Sequence, residues 1–195
     1  FLAEGARVAI WDIADTVETA ADELSAVGGP TVIGLQVDVT DDDSIARALE
    51  QTNERLGAVD HLVHCAAIGS GHFGYPFTEL QPDDWSRTLD VNIMGMVRVA
   101  HALATGMVER EAGTMVFLAS VAGQFGSQTD PPYSASKAAN INFAQCVARD
   151  LAGSGVRVNT ICPGMIQTPL NRGVWQSWND RQPEDLKQGY DEWAA

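Results

Sequence analysis

The chain has 195 residues, of which 45% are hydrophobic and 19% charged, and a formal net charge of −14. That length suits one domain with a sizeable core, and so ordinary a composition argues against disorder. The acidic balance argues against nucleic-acid and anionic-membrane partners, which both need a basic patch.

Three cysteines, Cys65, Cys146 and Cys162, lie in apolar surroundings without metal-ligand spacing, and they read as reduced core residues. No signal peptide is visible and no apolar run reaches about eighteen residues, so no membrane span and a cytoplasmic location are expected. The opening Phe1–Arg7 reads as the end of a helix stopped by Gly5, and the expectation is a chain truncated before Phe1.

Short apolar runs then alternate with helical patterns. Arg7–Asp12 reads as a strand, Thr16–Ala26 as a helix broken by Gly28-Gly29-Pro30, and Val32–Val39 as the next strand. Asp41–Leu56 is an amphipathic helix with Thr40 or Asp41 as its cap and Gly57 at its end. His61–Ala66 is a strand, and Ile68–Glu79 is a loop rich in Gly and aromatics. Pro82 to about Glu109 is a long helical stretch bent near Gly95, and Thr114–Ser120 is a strand. A loop with Gly123, Gly126 and Pro131-Pro132 leads to a helix over Tyr133–Ala152. Arg157–Cys162 is the last strand before Pro163-Gly164, and Gln167–Ala195 forms short helices carrying Trp175, Trp178 and Trp193.

Strand–helix alternation with near-continuous apolar strands predicts a doubly wound α/β fold, a parallel sheet covered on both faces in three layers. Such sheets bind ligands beyond the carboxyl ends of their strands. Asp12, Asp38, Ala66, Ser120 and Pro163 lie at or just after those ends. His61 and His64 are three apart on a strand, hence on opposite faces, and are not a metal pair.

The sharpest local feature is Tyr133-Ser134-Ala135-Ser136-Lys137. On a helix, Tyr133 and Lys137 share a face. A nearby ammonium and the positive end of a helix dipole both favour phenolate, making a proton carrier usable near neutrality. The same spacing also suits an interfacial tyrosine with a solvated lysine. Ser120 after its strand is placed to hold a carbonyl oxygen, or is an ordinary turn serine. Asn92 inside the long helix invites a local distortion or a bound water, or is a plain polar position.

Asn92, Ser120, Tyr133 and Lys137, in this order and at these separations, resemble the Asn-Ser-Tyr-Lys tetrad of short-chain dehydrogenases/reductases of the simple, single-domain type. The resemblance runs from Phe1 to about Thr168 and implies a Rossmann-like domain over 1–195, with 167–195 as a substrate lid. It implies that Tyr133 is the general acid or base, Ser120 orients the substrate oxygen, and Lys137 binds the nicotinamide ribose and lowers the pKa of Tyr133. Asn92 would anchor a water in a proton relay.

Further cofactor contacts are implied at Asp12 and Ile13, at Asp38-Val39 beside the adenine, at Cys65-Ala66-Ala67, and at Pro163, Gly164, Ile166 and Thr168. Asp12 would accept from the adenosine ribose hydroxyls and repel a 2′-phosphate, so NAD is expected over NADP; it also suits a helix cap, as does Asp38. The helices containing Val91–Ala104 and Ala138–Val147 are where family members pair into dimers or tetramers, and core burial explains their apolar content equally well.

The chain departs from the family pattern at His64-Cys65-Ala66-Ala67, where the family has Asn-Asn-Ala-Gly. The family's first strand with its glycine-rich turn and its last strand are also not found, so a longer natural protein is expected. The leading expectation is hydride transfer between NAD and a secondary alcohol or ketone of small or medium size. Phe73, Tyr75, Phe77, Trp175 and Trp178 point to an apolar or ring-bearing substrate, or to plain packing. The alternatives are an NADPH-dependent 3-oxoacyl-carrier ketoreductase and a catalytically silent dinucleotide-binding scaffold or sensor.

Overall fold

The computed structural model describes residues 1–26, 31–126 and 130–194. The expected Gly28-Gly29-Pro30 break lies outside them. A 3-10 turn over Leu2–Glu4 ends at Gly5, whose φ of 86° favours glycine. The main elements follow as β1 (Val8–Asp12), α1 (Val17–Ala26), β2 (Val32–Gln36), α2 (Asp42–Leu56) and β3 (His61–His64). Next come α3 (Asp83–Leu89), a π-helical turn (Asp90–Gly95), α4 (Met96–Glu109) and β4 (Gly113–Leu118). The order ends with α5 (Pro131–Asp150), β5 (Val156–Ile161), α6 (Pro169–Asp180) and α7 (Tyr190–Trp193).

This is a Rossmann-like α/β fold with parallel sheets and helices. Among the described residues the strands form two sheets, β1-β2 and β3-β4-β5, where one was expected. β1 and β2 run parallel from Val8 against Val32 to Asp12 against Gln36. Two compact units divide the residues: Phe1–Leu62, Met94–Met115 and Asp150–Arg157 in the first, and Val63–Ile93, Val116–Arg149 and Val158–Ala195 in the second.

Several element ends differ from the sequence expectation for local reasons. β2 stops at Gln36, and Asp38 turns the chain by accepting from the Thr40 amide at 2.8 Å and its hydroxyl at 2.7 Å. Asp41 caps α2 by accepting from Asp43 N at 2.9 Å. β4 ends at Leu118, and Ser120 instead caps a 3-10 turn over Val121–Gly123. α5 opens at Pro131 rather than Tyr133, because proline at a first helical position gives up a donor that has no intrahelical partner anyway.

The first unit packs α1 on the β1-β2 sheet; Val17 and Ala21 are the buried residues of α1, and Val32, Ile33 and Leu35 are buried in β2. Gly34 lies where the α1 backbone comes closest: a Cβ there would stand 2.3 Å from the Val17 carbonyl oxygen. Apolar residues of α4, namely Met96, Val99, Ala100, Leu103 and Met107, are buried in the same unit. The helical run Asp83–Glu109 has 27 residues and a window of mean hydropathy 1.3, enough by length and composition to cross a membrane. This corrects the expectation that no such run exists. Of that window 39% is buried, including residues of α4.

In the second unit Phe117 of β4 is fully buried against Phe143 and His64, with ring centroids 6.0 and 6.3 Å apart. His64 Nε2 meets no hydrogen-bond partner among the described residues. Burial first, and the Lys137 charge second, lower its pKa from 6.5 to about 4.

Two outcomes test this packing. Gly34→Ala should lower the urea midpoint, costing about 1–3 kcal/mol as an overpacked contact, whereas Gly173→Ala in α6, which has open space around it, should not. Stability should be full above the ordinary histidine pKa of 6.5 and fall as pH drops through about 4, because the unfolded chain takes up the proton that buried His64 refuses. That loss is at most about 3 kcal/mol. Acid-limb urea titrations of the native chain and His64→Phe should differ by this contribution.

Candidate active site

The site begins with the first two turns of α5, in the second unit. Asp130 holds the N-cap: its Oδ1 accepts from Tyr133 N at 3.4 Å and its carbonyl from Ser134 N at 2.9 Å. Tyr133 therefore stands in the first turn, near the positive end of the helix dipole. Lys137 lies one turn on and on the same side, with Nζ 5.5 Å from the centroid of the Tyr133 ring. Its ammonium is 3% exposed and donates to the Leu118 carbonyl at the end of β4, at 2.7 Å. Burial lowers the pKa of Lys137 to about 8, partly opposed by Cys65.

Ser120 follows β4, and its hydroxyl accepts from Ala122 N at 3.1 Å. The Tyr133 phenol pKa is raised. Burial is the largest cause, the Ser120 hydroxyl opposes it, and the Asp130 charge adds to it. Burial outweighs what favours the phenolate, and Lys137 is not among the causes of the shift. Gly123 lets the segment after Ser120 lie on the α5 backbone, where a Cβ would come within 2.6 Å of the Lys137 carbonyl carbon.

Asn92 is fully buried in the π-helical turn, the distortion its sequence position invited. Its side-chain amide pairs both ways with the backbone of Ile68, at 2.8 Å in each direction. Nδ2 also donates to Ser136 Oγ at 2.9 Å, and Ser136 Oγ donates to the Tyr133 carbonyl at 2.7 Å. Asn92 thus braces the segment after β3 and the first turn of α5. Sequence reasoning singled out neither Ser136 nor Asp130. Asp-Pro-Pro before Tyr133, an N-cap followed by proline, was the available signal for Asp130.

The remaining candidates of this unit are partly or fully exposed. Cys65 and Cys146 are exposed and Cys162 is half-buried, which corrects their reading as core residues. All three are free thiols, and burial raises the Cys65 pKa while Lys137 lowers it less. Ala66 is exposed and Ala67 half-buried after β3. Pro163 accepts from Val121 N at 3.0 Å, tying its turn to the Ser120 segment. Gly164 has open space around it, Ile166 is exposed, and Thr168 caps α6 by accepting from Asn171 N at 3.1 Å. The loop around Tyr75 meets α6: Arg181 stacks 3.7 Å from the Tyr75 ring centroid and pairs with Glu79 at 2.7 Å.

The other candidates belong to the first unit. Asp12 ends β1 with Oδ1 accepting from Ala14 N at 2.9 Å, and the exposed Ile13 follows. Asp38 and Val39 form the turn after β2, so Asp38 shapes backbone whatever else it does.

Comparison with known proteins identifies the family and the fold. The short chain dehydrogenase family model matches residues 1–179. The oxidoreductase UcpA of Escherichia coli K12 is 32% identical over 190 residues, covering 95% of this chain and 70% of the relative. A crystal structure of actinorhodin polyketide ketoreductase with NADPH superposes with a TM-score of 0.86 at 30% identity, covering 98% of this chain and 71% of that one. A 3-oxoacyl-[acyl-carrier protein] reductase from Brucella melitensis with bound NAD gives a TM-score of 0.80 at 33% identity, covering 90% and 68%. With a Rossmann-like fold and a family match over most of its length, the chain belongs to the short chain dehydrogenase family, oxidoreductases that act on CH–OH groups with NAD(P).

Proposed function

We propose that the chain is a secondary-alcohol dehydrogenase or ketone reductase in which Tyr133 carries the proton and NAD is the preferred cofactor. The observation that carries this reading is the shared face of α5, with the Lys137 ammonium 5.5 Å from the centroid of the Tyr133 ring. An alcohol and NAD⁺ give a ketone, NADH and one proton, and the nicotinamide supplies or takes up the hydride. Tyr133 gives the substrate oxygen its proton in reduction and takes it in oxidation. Ser120 donates to the same oxygen and fixes its place beside the phenol. Lys137 is mostly ammonium at neutral pH, and its pKa of about 8 lets it exchange a proton near the working range. Asn92 holds these parts in register through Ile68 and Ser136. Burial raises the phenol pKa, so Tyr133 stands at neutrality as the protonated donor that reduction uses.

Each unit carries groups that suit part of a dinucleotide. One Asp12 oxygen is engaged by Ala14 N, and its second accepts nothing among the described residues, which suits two ribose hydroxyls. Lys137 has further N–H donors beyond the one given to Leu118, which suit the nicotinamide ribose. The open apolar side chains of Met165 and Ile166 suit the nicotinamide ring, and Cys65, Ala66, Ala67, Pro163, Gly164 and Thr168 would line it. Asp38 and Val39 would border the adenine. We take 1–195 as one catalytic domain with 167–195 as its lid. A small-molecule alcohol or ketone substrate, a cytoplasmic location and a homo-oligomer, dimer or tetramer, complete the proposal.

The NADPH-dependent ketoreductase reading is kept because the actinorhodin reductase was solved with NADPH. The negative charge of Asp12 opposes a 2′-phosphate and favours NAD.

Three outcomes are expected. Tyr133→Phe should lower kcat about 10²- to 10⁴-fold with the fold intact by circular dichroism; unchanged turnover would remove the assignment. Ketone reduction should be flat through neutrality while alcohol oxidation climbs with pH, since only oxidation needs the phenolate. kcat/KM should favour NAD over NADP about tenfold or more, and Asp12→Ser should erase that preference, because one unpaired charge against a phosphate costs on the order of 1–3 kcal/mol. A native preference for NADP would select the ketoreductase reading.

A further inference from the structure

We propose that Asp130 is a positioning residue for the proton transfer at Tyr133, joining the loop at Ser70 to the first turn of α5 through one buried carboxylate. This rests on the reading of Tyr133 as the proton carrier. Asp130 is 3% exposed, and no salt bridge among the described residues reaches it. A carboxylate so placed must be held by N–H donors. Oδ2 accepts from Ser70 N at 2.9 Å, and Oδ1 from Tyr133 N at 3.4 Å. The side chain thus reaches backbone 60 residues away in sequence, and its other donor is the backbone of Tyr133 itself.

Both halves of that contact bear on the reaction. Ser70 opens the loop whose Phe73 carbonyl accepts from Ser177 Oγ of α6 at 3.4 Å and whose Tyr75 ring lies under Arg181. Asp130 therefore anchors the α5 end of a loop that also touches the lid. Its carboxylate lies at the Tyr133 backbone, the Lys137 ammonium stands 5.5 Å from the ring centroid, and the Ser120 hydroxyl favours the phenolate. Against them Asp130 opposes ionisation, in line with the raised phenol pKa. A residue serving only as a helix cap could be serine with no effect on that balance. A carboxylate adds a field that keeps the proton on Tyr133 until a substrate oxygen takes it.

The test measures the phenol directly. With tyrosine labelled by ¹³C at Cζ, the chain shows three resonances, Tyr75, Tyr133 and Tyr190, and Tyr133→Phe assigns one of them. Asp130→Asn keeps an acceptor and removes the charge, and Asp130→Ser keeps a cap and removes the charge. In both, the Tyr133 resonance should titrate at lower pH than in the native chain, by about half a unit or more. The rising limb of kcat/KM for alcohol oxidation should move the same way. An unshifted Tyr133 titration in both variants, or the unfolding of both, assigns Asp130 a structural role alone and overturns the inference. Turnover by Tyr133→Phe would instead overturn the proton-carrier reading, and the titration shift would stand independently of it.

Discussion

A buried ammonium sets the terms for everything around it. Lys137 sits almost out of water with Nζ on the Leu118 carbonyl. Removing a charge from water costs free energy, and proteins meet that cost by hydrogen bonds, by opposite charge or by letting the group lose its proton. Here the carbonyl supplies the first, and a pKa near 8 shows the third only half engaged. The ammonium can stay only if α5 lies hard against the end of β4. Gly123 provides that approach, and the chain of bonds from Asn92 through Ser136 to the Tyr133 carbonyl stops the helix from turning away.

Around that anchor, burial is the leading influence on each neighbouring titratable group. His64 has a lowered pKa because of its burial first and the ammonium second. Cys65 feels burial and the ammonium in opposite senses, with burial the larger. Tyr133 is held between a hydroxyl that eases ionisation and a carboxylate that resists it. Serine and aspartate acting on one phenol in opposite senses is the arrangement expected of a group that must both give and take a proton.

The strands and helices were legible because the apolar runs of β1, β2 and β4 and the helical spacing of α2 carry their period openly. So was the shared face of Tyr133 and Lys137, since four residues on a helix return to the same side. The phenol's raised pKa was not legible: its leading cause is burial, which depends on how α5 and the β4 end close over the ring. The cysteines were misread for a related reason, as apolar neighbours in sequence do not ensure burial when a residue follows the end of a strand, as Cys65 does. Thr168 and Asp38 show a further limit, since each serves a cap or turn whether or not it also meets a cofactor.

The π-helical turn at Asp90–Gly95 has a bearing on how this chain can be recombined with its relatives. A widened turn amounts to one residue added to an α-helix. Losing that residue would let the segment relax to ordinary α-helical spacing, with hydropathy and helix length hardly altered. Yet every side chain beyond the excision would rotate by about 100° relative to those before it. The amide of Asn92 would then no longer address both Ile68 and Ser136. A chimaera grafting this helix must therefore conserve residue count before it conserves residue type.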